Sequence, residues 1–266
     1  MYIPIATKTS IARAWAAAAS AIAEVQEGYN VVIDINDPGA FDWQDNNAIQ
    51  LVDDFLRTHD QNPISTVANT IFPQALYEEF DSPAFYSEYL KVFSRLTKSK
   101  KWGRYFERMI QHRTLEGQSY NPLADLIEKL KAQCESGNRF KATHELAIYD
   151  PLLDRRYRRG GQCLSFISLK LHPDAGLLLT AIYRNHHYIT KCLGNLIGLG
   201  RLQAFIAPGA GVKVGSLTCI STHAELDTGK GWGVTEARKL INEVSAILTS
   251  STSSTSSRAL PVAASR

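Results

Sequence analysis

The chain has 266 residues, of which 44% are hydrophobic and 21% are charged, as in ordinary globular proteins. Its net charge of +3 is too small to predict a nucleic-acid partner, and it suits a small anionic ligand as well. No apolar run reaches the roughly 20 residues that cross a bilayer, and the N-terminus lacks a signal-peptide pattern, so no membrane partner is predicted. Four separated cysteines without CxxC or zinc spacing predict reduced thiols, no metal site and a cytoplasmic protein.

The first half of the chain is predicted to be mainly helical. Thr9 or Ser10 is expected to cap the first helix and Gly28 to end it. Pro73 is expected to break or kink a later helix. Helices are predicted over residues 11–26, 45–58, 64–80, 84–96 and 121–137, and a strand over residues 29–35.

The second half is predicted to be richer in strands. The turn HPDAG makes the strands over 162–171 and 177–184 neighbours, and Thr235 is expected to cap the last helix. The remaining elements are strands over 141–148 and 212–221 and helices over 189–206 and 233–249. The pattern predicts one α+β domain over residues 1–249, a mainly antiparallel sheet packed with helices, and a disordered Ser-rich tail over 250–266.

Cys163 follows two glycines at the start of a predicted strand. It is either a small buried apolar residue or a nucleophile. Gly160 and Gly161 would let a substrate approach closely. The basic run RRYRR (155–159) and Arg184 would favour the thiolate, although this run could also be a solvated loop.

Other polar residues are candidates for ligand contacts. Arg184, which ends the strand after Cys163, suits a phosphate, with a salt bridge as the alternative. His223 could hold a sugar hydroxyl or be structural, and His186 and His187 could contact a ligand or be partly exposed. Asn195, in an apolar helix, could read the amide edge of uracil or cap nearby backbone.

In their order and spacing, these residues resemble the thymidylate synthase family, which includes the pyrimidine nucleotide hydroxymethylases. That family has a nucleophilic Cys at a strand start, an Arg ending the next strand, an Asn in the following helix and a His after a later strand. Cys163, Arg184, Asn195 and His223 match this series. The segments WGRYFERM (102–109), which contains Tyr105, and IYDP (148–151) also resemble family segments, so the similarity covers roughly residues 100–227.

The resemblance implies a thymidylate-synthase-like fold, a homodimer and a C5 methyl- or hydroxymethyltransferase acting on a uridine nucleoside monophosphate (dUMP or UMP). Cys163 would add to C6, and Asn195 would read uracil. The cofactor would be 5,10-methylenetetrahydrofolate. The other implied contacts are phosphate at Arg184, Arg155, Arg156 and Arg158, sugar at His223 and Glu225, and folate at His187 and His186.

Three residues depart from the family pattern. Asn185 replaces a Ser, His187 replaces the Asp that contacts folate, and Glu225 replaces a Tyr, where it could accept a hydrogen bond from a ribose 2′-hydroxyl. The alternative is therefore a nucleotide-binding module that has lost folate-dependent catalysis. A third hypothesis is a cysteine hydrolase that uses Cys163 and His223, but it leaves Arg184 and Asn195 unexplained.

Overall fold

The structure is a computed structural model that describes residues 2–80, 82–96, 104–138, 140–155 and 161–250. The expectations for Arg156, Arg158 and Gly160, and for the Ser-rich tail beyond Ser250, lie outside the described residues.

Helices and strands alternate irregularly along the described chain. Helices α1 to α10 span Ile11–Val25, Trp43–Thr58, Ile64–Ala68, Gln74–Glu79, Ala84–Leu96, Tyr105–Ile110, Pro122–Ser136, Pro151–Asp154, Leu193–Gly209 and Val234–Thr249. Strands β1 to β9 span Ile3–Pro4, Glu27–Ile35, His112–Arg113, Ser119–Tyr120, Glu145–Ala147, Leu164–His172, Gly176–Tyr183, His186–His187 and Val214–Glu225. A π-helical turn, Tyr188–Cys192, leads into α9.

Local capping chemistry sets several of these boundaries. Ser10 accepts a hydrogen bond from the backbone of Arg13 and so caps α1, as predicted. Asn121 caps α7, whose C-cap Gly137 has a φ of 72°, the left-handed conformation that glycine adopts readily. The predicted helix over 64–80 is divided into α3 and α4 near Pro73, because proline cannot continue the backbone hydrogen bonding.

Two predicted boundary roles are wrong. Helix α1 ends at Val25, its C-cap residue is Gln26 with a φ of 62°, and Gly28 lies within β2. A Cβ atom at Gly28 would lie 2.7 Å from Ile22 Cδ1, so close packing explains this glycine. Thr235 lies inside α10, where Gly233 is the N-cap residue and donates its N–H to the Glu236 carboxylate at 2.8 Å.

The main sheet is open and mixed, with the order β1-β2-β9-β7-β6-β5 and with β8 also paired to β9. The pairs β2/β9, β6/β7 and β5/β6 are antiparallel. The β6/β7 pair is the hairpin predicted at the HPDAG turn, which is thereby confirmed. The pairs β1/β2, β7/β9 and β8/β9 are parallel. The prediction of a mainly antiparallel sheet is therefore wrong for the central pair, since α9 forms a crossover between β7 and β9, and such a connection joins parallel strands.

Helix α9 is buried along almost its whole length and lies against α3. Two glycines permit this contact: a Cβ atom at Gly194 would lie 2.7 Å from Val67 Cβ, and one at Gly198 would lie 2.7 Å from the Ala68 carbonyl oxygen. Although most residues of α9 are apolar, no helix among the described residues is both long and apolar enough to cross a lipid bilayer.

The Gly198→Ala variant tests this contact. We expect it to lower the free energy of unfolding by about 1–3 kcal/mol, because the added methyl group meets the backbone of Ala68 and the branched Cβ of Ile71. Urea denaturation measures the change. Gly209→Ala is the matched control at the end of the same helix, since its added Cβ would meet a single side-chain atom, the Cγ2 methyl of Ile127 at 3.0 Å, and no backbone. Equal stability of the two variants would contradict the close α3–α9 contact.

Candidate functional site

The site begins at the open end of the β6/β7 hairpin. Cys163 immediately precedes β6 and Arg184 immediately follows β7, and the Arg184 N–H donates to the Cys163 carbonyl at 2.9 Å. This contact confirms the prediction that Cys163 and Arg184 lie at the same edge of the sheet. The Arg184 guanidinium also lies 6.0 Å from the ring centre of Tyr149, within reach of a cation–π contact.

A cleft of about 400 Å³ opens beside this edge and is lined by residues from α3, α6, β8 and α9 and from the segments that flank the β6/β7 hairpin. Six of the residues predicted from the sequence line it together: Tyr105, Cys163, Asn185, His186, His187 and Asn195. A larger cavity, of about 520 Å³, lies between α2, α3 and α9. None of the predicted site residues lines that cavity, so the smaller cleft is the candidate site.

Burial, rather than the neighbouring cation, dominates the chemistry of the Cys163 thiol. Burial raises its pKa above the ordinary value, while the charge of Arg184 and a hydrogen bond from its side chain lower it only in part. The thiol is therefore protonated at neutral pH, contrary to the expectation of a favoured thiolate. The Tyr105 hydroxyl accepts hydrogen bonds from the backbone N–H groups of Cys163 and Leu164, and burial raises the pKa of Tyr105 to about 12.

Asn195 begins a buried polar chain of four residues: Asn195, His186, Ser221 and Tyr188. Asn195 Nδ2 lies 3.0 Å from His186 Nε2, and His186 Nδ1 lies 2.9 Å from Ser221 Oγ. Ser221 Oγ lies 3.3 Å from the Tyr188 hydroxyl. The His186 ring stacks on Tyr183 with centroids 4.1 Å apart, and burial lowers the pKa of His186 to about 3. His186 is therefore a neutral imidazole at physiological pH.

A second series, here called the surface polar chain, consists of Glu27, His223, Asn185 and His187. His223 Nε2 lies 2.5 Å from Glu27 Oε1, and His223 Nδ1 lies 2.5 Å from Asn185 Oδ1. Asn185 Nδ2 lies 3.3 Å from His187 Nε2. Asn185 and His187 line the cleft, whereas His223 contacts it only through Asn185. The predicted sugar contact of His223 would therefore require a ligand to extend past Asn185.

The remaining predicted residues lie at the margin. Glu225 ends β9, and its carboxylate lies 3.6 Å from His187 Nε2. Arg155 follows α8 as an exposed residue and is not among the lining residues of the cleft. Within the described ranges, no group of three or more His, Cys, Asp or Glu side chains could hold a metal ion.

Sequence reasoning missed the wall of the cleft that Thr66 of α3 and Thr70 of the turn after α3 provide. Their four-residue spacing within the helix predicted over 64–80 was the available signal. It also missed Lys191, which lines the cleft, and Asp227, which accepts backbone hydrogen bonds from Ile189 at 2.8 Å and Thr190 at 3.1 Å. Asp227 thereby fixes the turn that leads into α9.

A scan against protein-family models finds no match, and a search of curated proteins finds no significantly similar sequence. The resemblance to the thymidylate synthase family thus remains a prediction from residue types, their order and their spacing.

The electrostatic balance at Cys163 can be tested by alkylation. We expect the alkylation rate of Cys163 to rise with pH to a midpoint above 9.0, the ordinary thiol value. Arg184→Gln should raise that midpoint and slow alkylation at pH 8, by about 10-fold if the pKa rises by one unit. Peptide mapping after iodoacetamide treatment gives the rates.

Two comparisons make the alkylation test specific. Arg184→Lys keeps the positive charge and should retain most of the wild-type rate, and Cys134, half-buried on α7, should be alkylated equally in every variant. A Cys163 midpoint below 9.0 in the wild-type protein would show that Arg184 outweighs burial.

Burial of neutral His186 makes stability depend on pH. Its folded-state pKa of about 3 lies below the ordinary 6.5, so below pH 6.5 the unfolded chain binds a proton that the folded protein does not. Stability should therefore fall as pH decreases from 6.5 towards 3. Between pH 7.5 and pH 5.0 this residue should account for a loss of about 2 kcal/mol.

We expect His186→Gln to lose about 2 kcal/mol less free energy of unfolding than the wild-type protein between pH 7.5 and pH 5.0. Urea denaturation at the two pH values measures the difference. Gly198→Ala, which is expected to lower stability without removing a titratable group, is the control and should keep the wild-type pH dependence. An unchanged pH dependence in His186→Gln would contradict the assignment of His186 as a buried neutral residue.

Proposed function

We propose that the protein binds a pyrimidine nucleoside monophosphate in the cleft and acts as a C5 methyl- or hydroxymethyltransferase on a uridine nucleotide, with Cys163 as nucleophile. One observation carries the proposal: Cys163 and Asn195, which are distant in sequence, line the same cleft, and Arg184 is bonded to Cys163. These are a thiol, an amide edge and a guanidinium, which together match the reactive carbon, the base edge and the phosphate of a nucleotide.

In this proposal each group has a defined part. Cys163 loses its proton and forms a bond to C6, which makes C5 nucleophilic. Arg184 binds the phosphate through paired charged hydrogen bonds. Asn195 accepts from N3–H of uracil and donates to O4, and Asn185 presents a polar contact beside His187. Loss of the C5 proton and departure of the Cys163 sulfur then restore the ring double bond.

The cofactor side of the cleft matches a reduced folate in its residue types. His187 is half-exposed at the cleft and offers a flat ring, and Lys191 brings a positive charge suited to a carboxylate. When bound, 5,10-methylenetetrahydrofolate would supply the one-carbon unit that C5 takes up; a hydride from the same folate would complete a methyl product, and water would complete a hydroxymethyl product. A second protomer, which the resemblance implies, would be the source of further phosphate-binding arginines.

A nucleotide-binding module without catalysis is the second candidate. It is favoured by the raised pKa of the Cys163 thiol, because a protonated thiol is a poor nucleophile. In that case the contacts of Arg184 and Asn195 would remain useful, and Cys163 would have only a packing role.

Tritium release separates the two candidates. The protein is incubated with methylenetetrahydrofolate and C5-tritiated dUMP, UMP, dCMP or CMP, and tritium in water is counted. We expect release from a uridine nucleotide, lowered by about 1000-fold or more in Cys163→Ala because the covalent step is lost. Cys134→Ala, at a half-buried cysteine that does not line the cleft, should retain activity.

The same preparations decide the alternative by calorimetric titration of the four nucleotides. Binding without tritium release, retained in Cys163→Ala, would replace the transferase with the binding module. If the protein binds none of the four nucleotides and releases tritium from none of them, both candidates are excluded.

A further inference from the structure

In the buried polar chain, the direction in which the Asn195 amide points depends on which ring nitrogen of His186 carries the proton. A neutral imidazole has one donor and one acceptor nitrogen. His186 uses both nitrogens, at 3.0 Å from Asn195 Nδ2 and at 2.9 Å from Ser221 Oγ. Because Nδ2 can only donate, Nε2 must accept, so the proton lies on Nδ1 and is donated to Ser221.

The opposite arrangement is equally continuous in hydrogen bonds. With the proton on Nε2, His186 would donate to Asn195 Oδ1, and the amide would be reversed by a half turn. Ser221 would then donate to His186 Nδ1 and accept from the Tyr188 hydroxyl, which lies 3.3 Å away. Each tautomer of His186 therefore goes with one direction of the Asn195 amide.

Burial stabilises one pairing of the His186 tautomer with the Asn195 amide direction. His186, Ser221, Tyr188 and Asn195 are each at least 96% buried, so water does not compete for their hydrogen bonds. The Tyr183 ring stacked on His186 fixes the plane of the imidazole. Within the described part of the chain, Asn195 makes no other side-chain hydrogen bond, so Oδ1 and the second N–H remain for a ligand in the cleft.

We infer that His186, held by Ser221, is a positioning residue that sets the direction of the Asn195 amide and thereby selects uracil over cytosine. This inference rests on the proposed function and names its base specificity. With Nδ2 towards His186, the free edge offers Oδ1 to N3–H of uracil and an N–H to O4. The reversed amide would offer an N–H to N3 of cytosine and Oδ1 to the exocyclic amino group.

The Ser221→Ala variant tests this inference without changing any residue that lines the cleft. Loss of the Ser221 oxygen leaves His186 Nδ1–H without an acceptor, so the proton should move to Nε2 and the amide should reverse. We expect the ratio of UMP to CMP affinities, and of dUMP to dCMP, to fall by about 10-fold or more, since a paired hydrogen-bond contact discriminates bases on that scale.

Two further measurements separate positioning from a loss of structure. Nitrogen-15 chemical shifts of labelled histidine identify the protonated ring nitrogen of His186, expected to be Nδ1 in the wild-type protein and Nε2 in Ser221→Ala. Thr218→Ala removes a β9 hydroxyl that donates a hydrogen bond to Asp34 and does not belong to the buried polar chain. It should leave both the His186 tautomer and the affinity ratio unchanged.

The outcomes are distinct. A wild-type His186 protonated on Nε2, or an unchanged affinity ratio in a folded Ser221→Ala protein, overturns the inference and leaves nucleotide binding intact. Failure of the wild-type protein to bind any of the four nucleotides overturns the proposed function itself, and the base specificity with it.

Discussion

The arrangement of the site depends on the parallel pairing of β7 with β9. Parallel neighbours cannot be joined by a tight turn, so the chain must cross over one face of the sheet between them. That crossover starts at the edge where β7 ends and β6 begins, and it places Asn195, in the first turn of α9, in the same cleft as Cys163. The end of β9 returns to the same edge, where Asp227 accepts hydrogen bonds from the start of the crossover. The parallel direction of this pair therefore brings four segments to one edge of the sheet: the start of β6, the end of β7, the start of α9 and the end of β9.

Burial at this edge has opposite consequences for catalysis and for recognition. It raises the pKa of Cys163 despite the adjacent Arg184, which works against a resting thiolate. It also keeps His186 neutral and its hydrogen bonds free from competition by water. Under the proposed function, a phosphate on Arg184 would further offset the charge that favours the thiolate. The nucleophile would then lose its proton during attack on the base rather than before it.

Local sequence signals predicted the elements better than their pairing. Ser10 and the HPDAG turn correctly indicated the start of α1 and the β6/β7 hairpin, because both are determined by neighbouring residues. The capping roles predicted for Gly28 and Thr235 were wrong, because packing and the neighbouring Gly233 decide those positions. Strand direction depends on partners far away; the helix predicted between the strands at 177–184 and 212–221 was the available signal for a crossover, but the sheet was predicted to be mainly antiparallel. His223 illustrates the limit: β2 pairs with β9 and brings Glu27 into contact with it, and nothing local in STHAELD predicts that partner.

The pair His186–His187 shows how strand geometry divides two adjacent residues of the same type. Successive side chains of a strand point to opposite faces, so the short strand β8 turns His186 into the core and leaves His187 at the surface. The buried ring joins Asn195 to Ser221 through its two nitrogens, whereas Nε2 of the surface ring lies near both the Asn185 amide and the carboxylate of Glu225. The two polar chains therefore meet the cleft through different amides, one shielded from solvent and one open to it. Because burial keeps His186 neutral over the physiological pH range, the direction of the Asn195 amide should not change with pH in that range.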